Sequence, residues 1–73
     1  MSGLVYVSCG YGAHVVEVRE PRMGYRLLQT LGRGDGKEGN GVGEFYLPTG
    51  LCVDDVNVLM VVDQFNHRVQ FFD

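Results

Sequence analysis

The sequence predicts an all-β chain of six antiparallel strands, and three observations carry that expectation. Six short apolar runs, rich in β-branched and aromatic residues, are separated by turns of Gly, Pro, Asn and Asp. No window shows sustained 3.6-residue apolar periodicity with caps at its ends, so no helix longer than one turn is expected. Residues 4–19 also align on residues 58–73 as one strand–turn–strand outline. That alignment sets Val7 on Val61, Tyr11 on Phe65, His14 on Arg68, Val15 on Val69 and Val18 on Phe72. Self-similarity of this kind marks repeat architectures, in which one unit buries its face against the next.

The elements follow in order. Residues 4–9 form the first strand, and Gly10, Tyr11, Gly12 and Ala13 turn the chain back, because glycine accepts positive φ. Residues 14–19 form the second. Pro21 and Gly24 punctuate the turn at 20–24, where a central strand would need an amide proton that proline lacks. Residues 25–31 form the third; polar Arg26, Gln29 and Thr30 break strict alternation, which suits an exposed edge. Residues 32–49 are a loop holding six of the chain's 11 glycines. A short fourth strand over 50–54, a turn over 55–57, a fifth strand over 58–63 and a sixth over 68–73 complete the chain. The apolar run at 58–62 is continuous rather than alternating, as expected of a strand covered on both faces.

With 73 residues the chain has room for one small domain and a modest core. Its formal net charge of −3 argues against a polyphosphate partner for this segment. Cys9 and Cys52 lack CxxC spacing, so they read as small hydrophobes and not as zinc ligands or a disulfide, which suits a reducing compartment. No stretch approaches the ~18 apolar residues of a membrane helix, and the N-terminus lacks the basic start and apolar centre of a signal peptide.

Two loop motifs invite chemistry. Gly34-Asp35-Gly36-Lys37-Glu38-Gly39 matches GxGxxG after a strand, but a dinucleotide site needs a helix N-terminus there, and Asn40-Gly41-Val42-Gly43 cannot start one. Glu38 follows Lys37 where a P-loop needs Ser or Thr, so no cofactor is expected. Arg33-Gly34-Asp35 spells an adhesion tripeptide, a pattern short enough to arise by chance. His14 and His67 could be metal ligands but, being only two and beside hairpins, read as structural or surface histidines, and no Ser-His-Asp or paired-carboxylate arrangement has a positional argument behind it; no metal ligand or catalytic residue is assigned.

Residues 45–73 carry a longer pattern. Pro48-x-Gly50 leads into an apolar strand and an acidic turn. A second apolar strand then ends in Asp63, and Asn66-His67-Arg68-Val69 opens a third. This resembles the NHL repeat, named for Asn-His-Leu, with Arg68 in the third place. The resemblance implies a β-propeller of four-stranded antiparallel blades. By it, 50–54, 58–63 and 68–73 correspond to the first three strands of a blade counted from the axis, and 4–9, 14–19 and 25–31 to the last three of another. The expected organisation is a partial blade over 1–31, a Gly-rich inter-blade loop over 32–49 and a partial blade over 50–73. Two incomplete blades cannot close a ring, so a longer chain supplying the remaining blades, or other copies of this chain, are the expected partners. In this reading the Asp63 carboxylate accepts backbone N–H groups across its hairpin, Asn66 takes a left-handed turn, and His67 and Arg68 bond to a neighbouring blade. The first copy has Cys9 in place of Asp63 and Ala13 in place of His67, so its polar latch is lost.

Up-and-down connectivity puts the 10–13 turn, the 32–49 loop and the 64–67 turn on one side, and the 20–24 and 55–57 turns on the other. The first side gathers Tyr11, His14, Arg33, Lys37, Tyr46, Gln64, Phe65, Asn66, His67 and Arg68. Aromatic, Arg and amide side chains on loops suit a binding face. The resemblance implies a non-enzymatic binding or scaffold module for a protein or an RNA, with the acidic charge disfavouring RNA. The alternative is part of a propeller lyase or hydrolase whose metal or polar site lies on the central axis.

Overall fold

The computed structural model describes residues 3–22 and 24–73. Residues 1, 2 and 23, which belong to the expected first unit and to the expected 20–24 turn, lie outside the described residues. Strands β1 (Val5–Cys9), β2 (Val15–Glu20) and β3 (Arg26–Gly32) form one antiparallel sheet in the order β1-β2-β3. Strands β4 (Pro48–Val53), β5 (Leu59–Asp63) and β6 (Arg68–Phe72) form a second, in the order β4-β5-β6. A single 3-10 turn, Gln64–Asn66, stands between β5 and β6. The all-β antiparallel architecture is therefore the one expected, with strand ends displaced by no more than two residues.

The two sheets face each other, and alternation decides what meets between them. Tyr6, Val16 and Leu31 point inward from the first sheet, and Leu51, Leu59, Val61 and Phe72 from the second. Phe45, delivered by the Gly-rich loop, is fully buried between them, with its ring centroid 5.8 Å from that of Phe72. Burying side chains of this size stabilises by about 1.5–3 kcal/mol each, so this one cluster is the main attraction between the sheets. At the loop end of the interface, Ser8 Oγ on β1 donates to the Thr49 carbonyl on β4 at 3.2 Å.

β5 differs from expectation. Leu59, Val61 and Asp63 are buried, but Met60 is only half-buried and Val62 is 41% exposed. The strand is covered on one face by the first sheet, and its second face lies open within this chain. There Gly50, Cys52, Met60, Val62 and Val69 line a shallow apolar trough.

The two hairpins repeat each other with one residue of slippage. Cys9 pairs with Val15 and Asp63 pairs with Arg68, so β1 corresponds to β5 and β2 to β6. The connection over 10–14 is one residue longer than that over 64–67. In consequence Val15 corresponds to Arg68, Val16 to Val69 and Val18 to Phe71. The equivalences read from sequence beyond the turn, including Ala13 with His67, move by one. His14, at φ 55°, and His67, at φ 56°, take the same left-handed place before each return strand. Asn66 was expected in that conformation; it closes the 3-10 turn instead, and His67 makes the reversal.

Candidate functional site

The signature side chains converge on Asp63, which is fully buried. Its place at the end of β5, on the inward side with Arg68, Gln70 and Phe72, follows from the β5–β6 register. Asp63 Oδ1 accepts the Tyr46 N–H at 2.7 Å. Its Oδ2 accepts Asn66 Nδ2 at 2.9 Å, Arg68 Nε at 2.9 Å and, more weakly, Gln70 Nε2 at 3.4 Å. Burial pushes this carboxyl up, but Asn66, the Tyr46 N–H and Arg68 together outweigh it and hold it below the usual aspartate value.

The donors then reach into the Gly-rich loop. Arg68 donates to the carbonyls of Asn40, Gly41 and Glu44 at 3.1, 2.8 and 2.9 Å. Asn66 Nδ2 donates to the Gly39 carbonyl at 2.8 Å. Gln70 donates to the Glu44 carbonyl at 2.7 Å and accepts the Gly43 N–H at 2.9 Å. The loop is thus bound to the second sheet along 39–46. Within its own hairpin the carboxylate takes side-chain donors and not the backbone N–H groups expected; the backbone amide it takes comes from the incoming loop. Arg68 likewise holds its own sheet's loop and not a neighbouring sheet.

The first sheet has its own version of this contact. His14 is buried, and its Nδ1 accepts the Leu47 N–H at 3.1 Å. Its ring meets Tyr46 edge-on at 5.6 Å. Consecutive amides, Tyr46 and Leu47, are therefore held one by each sheet. Cys9, in Asp63's place, has no such role; burial, and then the Glu17 charge, push its thiol up against the opposing pull of Arg19, which makes it a poor nucleophile. Cys9 and Cys52 are both free thiols.

The loops gather on one side as connectivity requires, and the expected face divides in two. Arg33, Tyr46, Phe65 and Asn66 line one hollow together with Glu38, Asn40 and Glu44. Tyr46 and Phe65 meet edge-on at 5.1 Å, and the Phe65 N–H donates to the Tyr46 carbonyl. Tyr11 is 80% exposed, and Lys37, Gln64 and His67 are also exposed around it and the hairpin. His14 and Arg68 lie beneath, engaged in holding the loop. Gln70 and Glu44 escaped the sequence reading; the signal for Gln70 was its place two residues beyond Arg68, on the same face of β6.

The adhesion-like tripeptide closes on itself. Arg33 donates to Asp35 at 2.8 Å, and Asp35 also accepts the Lys37 N–H at 3.0 Å. The Lys37 N–H, with Arg33, holds the Asp35 carboxyl low in spite of slight desolvation. Among the described residues no group of three or more His, Cys, Asp or Glu side chains could hold a metal ion, and no helix is long and apolar enough to cross a membrane.

No protein-family model matches the chain. No solved structure matches it. Over 38 residues, 52% of its length, the chain is 53% identical to Protein lin-41 of Caenorhabditis elegans, a match that spans 3% of that protein.

Proposed function

We propose that the chain is a segment of an NHL-type β-propeller that acts as a non-enzymatic binding or scaffold module, with a protein as its ligand. The repeat pattern over 45–73 and the local likeness to lin-41, a protein with NHL repeats, support the family. In this reading residues 1–31 and 50–73 are partial blades, 32–49 joins them, and the remaining blades come from a longer chain or from other copies.

The observation that carries the functional reading is the fate of the polar signature. Asp63, Asn66, Arg68 and Gln70 are spent on holding the loop, and among the described residues no buried side-chain polar atom lacks a partner. These four side chains are thereby engaged in holding backbone and are not poised for proton transfer or nucleophilic attack. The loop side instead offers exposed Tyr11 and Phe65 with Arg33 and Lys37 nearby, a composition suited to protein contact. The net charge of −3 disfavours a nucleic-acid backbone at this segment.

Affinity capture with the full polypeptide that contains this segment tests the reading. A protein partner should be retained by the parent. Retention should fall at least tenfold in a Tyr11→Ser, Phe65→Ser variant that melts as the parent does. Equal retention by the variant, selective recovery of RNA, or a lyase or hydrolase activity would overturn it.

A further inference from the structure

The Gly-rich loop holds the chain's one Asn-Gly step, Asn40-Gly41. An asparagine before glycine is open to attack by the next residue's backbone nitrogen, because glycine has no Cβ to shield that approach. The chain's other two asparagines are differently placed. Asn57 precedes the β-branched Val58. Asn66 gives its side-chain amide to the Gly39 carbonyl and the Asp63 carboxylate. Asn40 is exposed, and it lines the loop-side hollow with Glu38 and Glu44.

Both polar atoms of the Asn40–Gly41 peptide bond are held. Its N–H donates to Glu44 Oε1 at 3.0 Å, and its carbonyl accepts Arg68 at 3.1 Å. The next carbonyl, that of Gly41, accepts Arg68 at 2.8 Å and the Glu44 N–H at 3.1 Å. Attack needs the Gly41 nitrogen to shed its proton, and the Glu44 carboxylate opposes this twice. It holds the proton where it is, and its charge disfavours an amide anion beside it. Any turn of the peptide plane also pulls on the Arg68 contact.

We propose that Asn40-Gly41 is a latent deamidation site, which Glu44 and Arg68 keep closed while the loop is seated on the second sheet. When the loop lifts, the Gly41 nitrogen bonds to the Asn40 side-chain carbonyl carbon. The bond from that carbon to the side-chain amide nitrogen breaks, and ammonia leaves with the proton that the backbone nitrogen gave up. Water then opens the cyclic imide at either carbonyl, to aspartate or isoaspartate, with no change of oxidation state. Either product adds a carboxylate beside Glu38 and Glu44. Isoaspartate also lengthens the main chain by a methylene, which shifts the loop against Glu44 and Arg68. The inference rests on the loop's own bonds and on no assignment of a partner.

Timed incubation of the protein at neutral pH tests it, with peptide mapping by mass spectrometry and enzymatic methylation of isoaspartate as readouts. Asn40 should convert about tenfold more slowly in native buffer than in urea, the scale of one hydrogen bond to a charged group. Glu44→Ala, in a form that melts as the parent does, should close most of that gap, while in urea variant and parent should convert alike. Should Glu44→Ala melt early, Gly39→Ala decides instead, because its Cβ displaces the Glu44 carboxylate without removing it. Equal native and denatured rates in the parent overturn the proposal. So does a parent-like native rate in the variant that is read, or conversion at Asn57 or Asn66 ahead of Asn40. None of these outcomes bears on a protein partner, so failure would leave the proposed function standing.

Discussion

Asp63 is the residue on which the second sheet and its loop depend. Its carboxylate is the common acceptor for one backbone amide and three side chains, so truncation leaves the Tyr46 N–H and the Asn66 and Arg68 donors without their partner. Asp63→Ala should cost about 1–3 kcal/mol at neutral pH, the scale of orphaned buried donors. Cys9→Ala, at the corresponding place in the first sheet, should cost less, because no loop amide depends on that thiol. The loss has a pH signature. The Asp63 carboxyl is held low in the folded state, so its contribution is present above the unfolded value of about 4. It fades as pH falls through the lower folded value. Denaturant melts of parent and Asp63→Ala should therefore converge in acid; a constant gap from pH 7 to pH 2 would remove the carboxylate from this role.

The Gly-rich loop shows the same economy one level up. At Gly39 the requirement is space. A Cβ there would run into the Glu44 carboxylate and stand 2.9 Å from Arg33 Cδ. Glu44 would have to leave the Gly41 N–H that it accepts at 3.0 Å. Gly39→Ala should therefore destabilise the chain by no more than about 1 kcal/mol, because the atoms in the way belong to flexible side chains that can swing aside once the Glu44 contact is given up. Amide exchange at Gly41 should quicken while the strand amides of β1 and β2 stay protected. Unchanged exchange and an unchanged melt would show that the loop adapts freely. The strands themselves were legible, because apolar runs between Gly, Pro and Asn turns need only local chemistry. The left-handed residue of each hairpin was not. Choosing His67 over Asn66, or His14 over Ala13, depends on the count of residues in each connection, which pairing alone reveals.

The assembled molecule has one well-covered interface and two exposed liabilities. The trough on the second sheet leaves Val62, Val69 and Phe71 at 41, 48 and 65% exposure. By the repeat, these match Ser8, Val16 and Val18 of the first sheet, and Val16 and Val18 are buried against the second sheet's side. The edges of β3 and β6 are unpaired among the described residues. Open apolar faces and open edges drive association, and repeat units gain stability from neighbours on both sides. The 73-residue chain alone should therefore sediment as a concentration-dependent mixture and melt broadly, and, on the propeller reading proposed above, supplying flanking blades should restore one sharp transition. A monodisperse monomer with a sharp melt would show a self-sufficient small β-domain.

Sequence alone determined the number and order of strands, their antiparallel sense, the side on which the loops gather, and the place of Asp63 at the end of β5. These follow from local turn chemistry and from the period-two alternation of strands, both of which are written within a few residues of the element concerned. Tertiary structure decided which polar groups meet. Asp63 takes the Tyr46 amide 17 residues away, His14 takes that of Leu47 33 residues away, and Arg68 and Gln70 bind a loop that precedes them by more than 20. Such contacts depend on how the two sheets stack around Phe45, and no local pattern encodes that distance. Stacking also decided that β5 is covered on one face and open on the other, since a continuous apolar run reads the same whether its second cover lies within the chain or outside it.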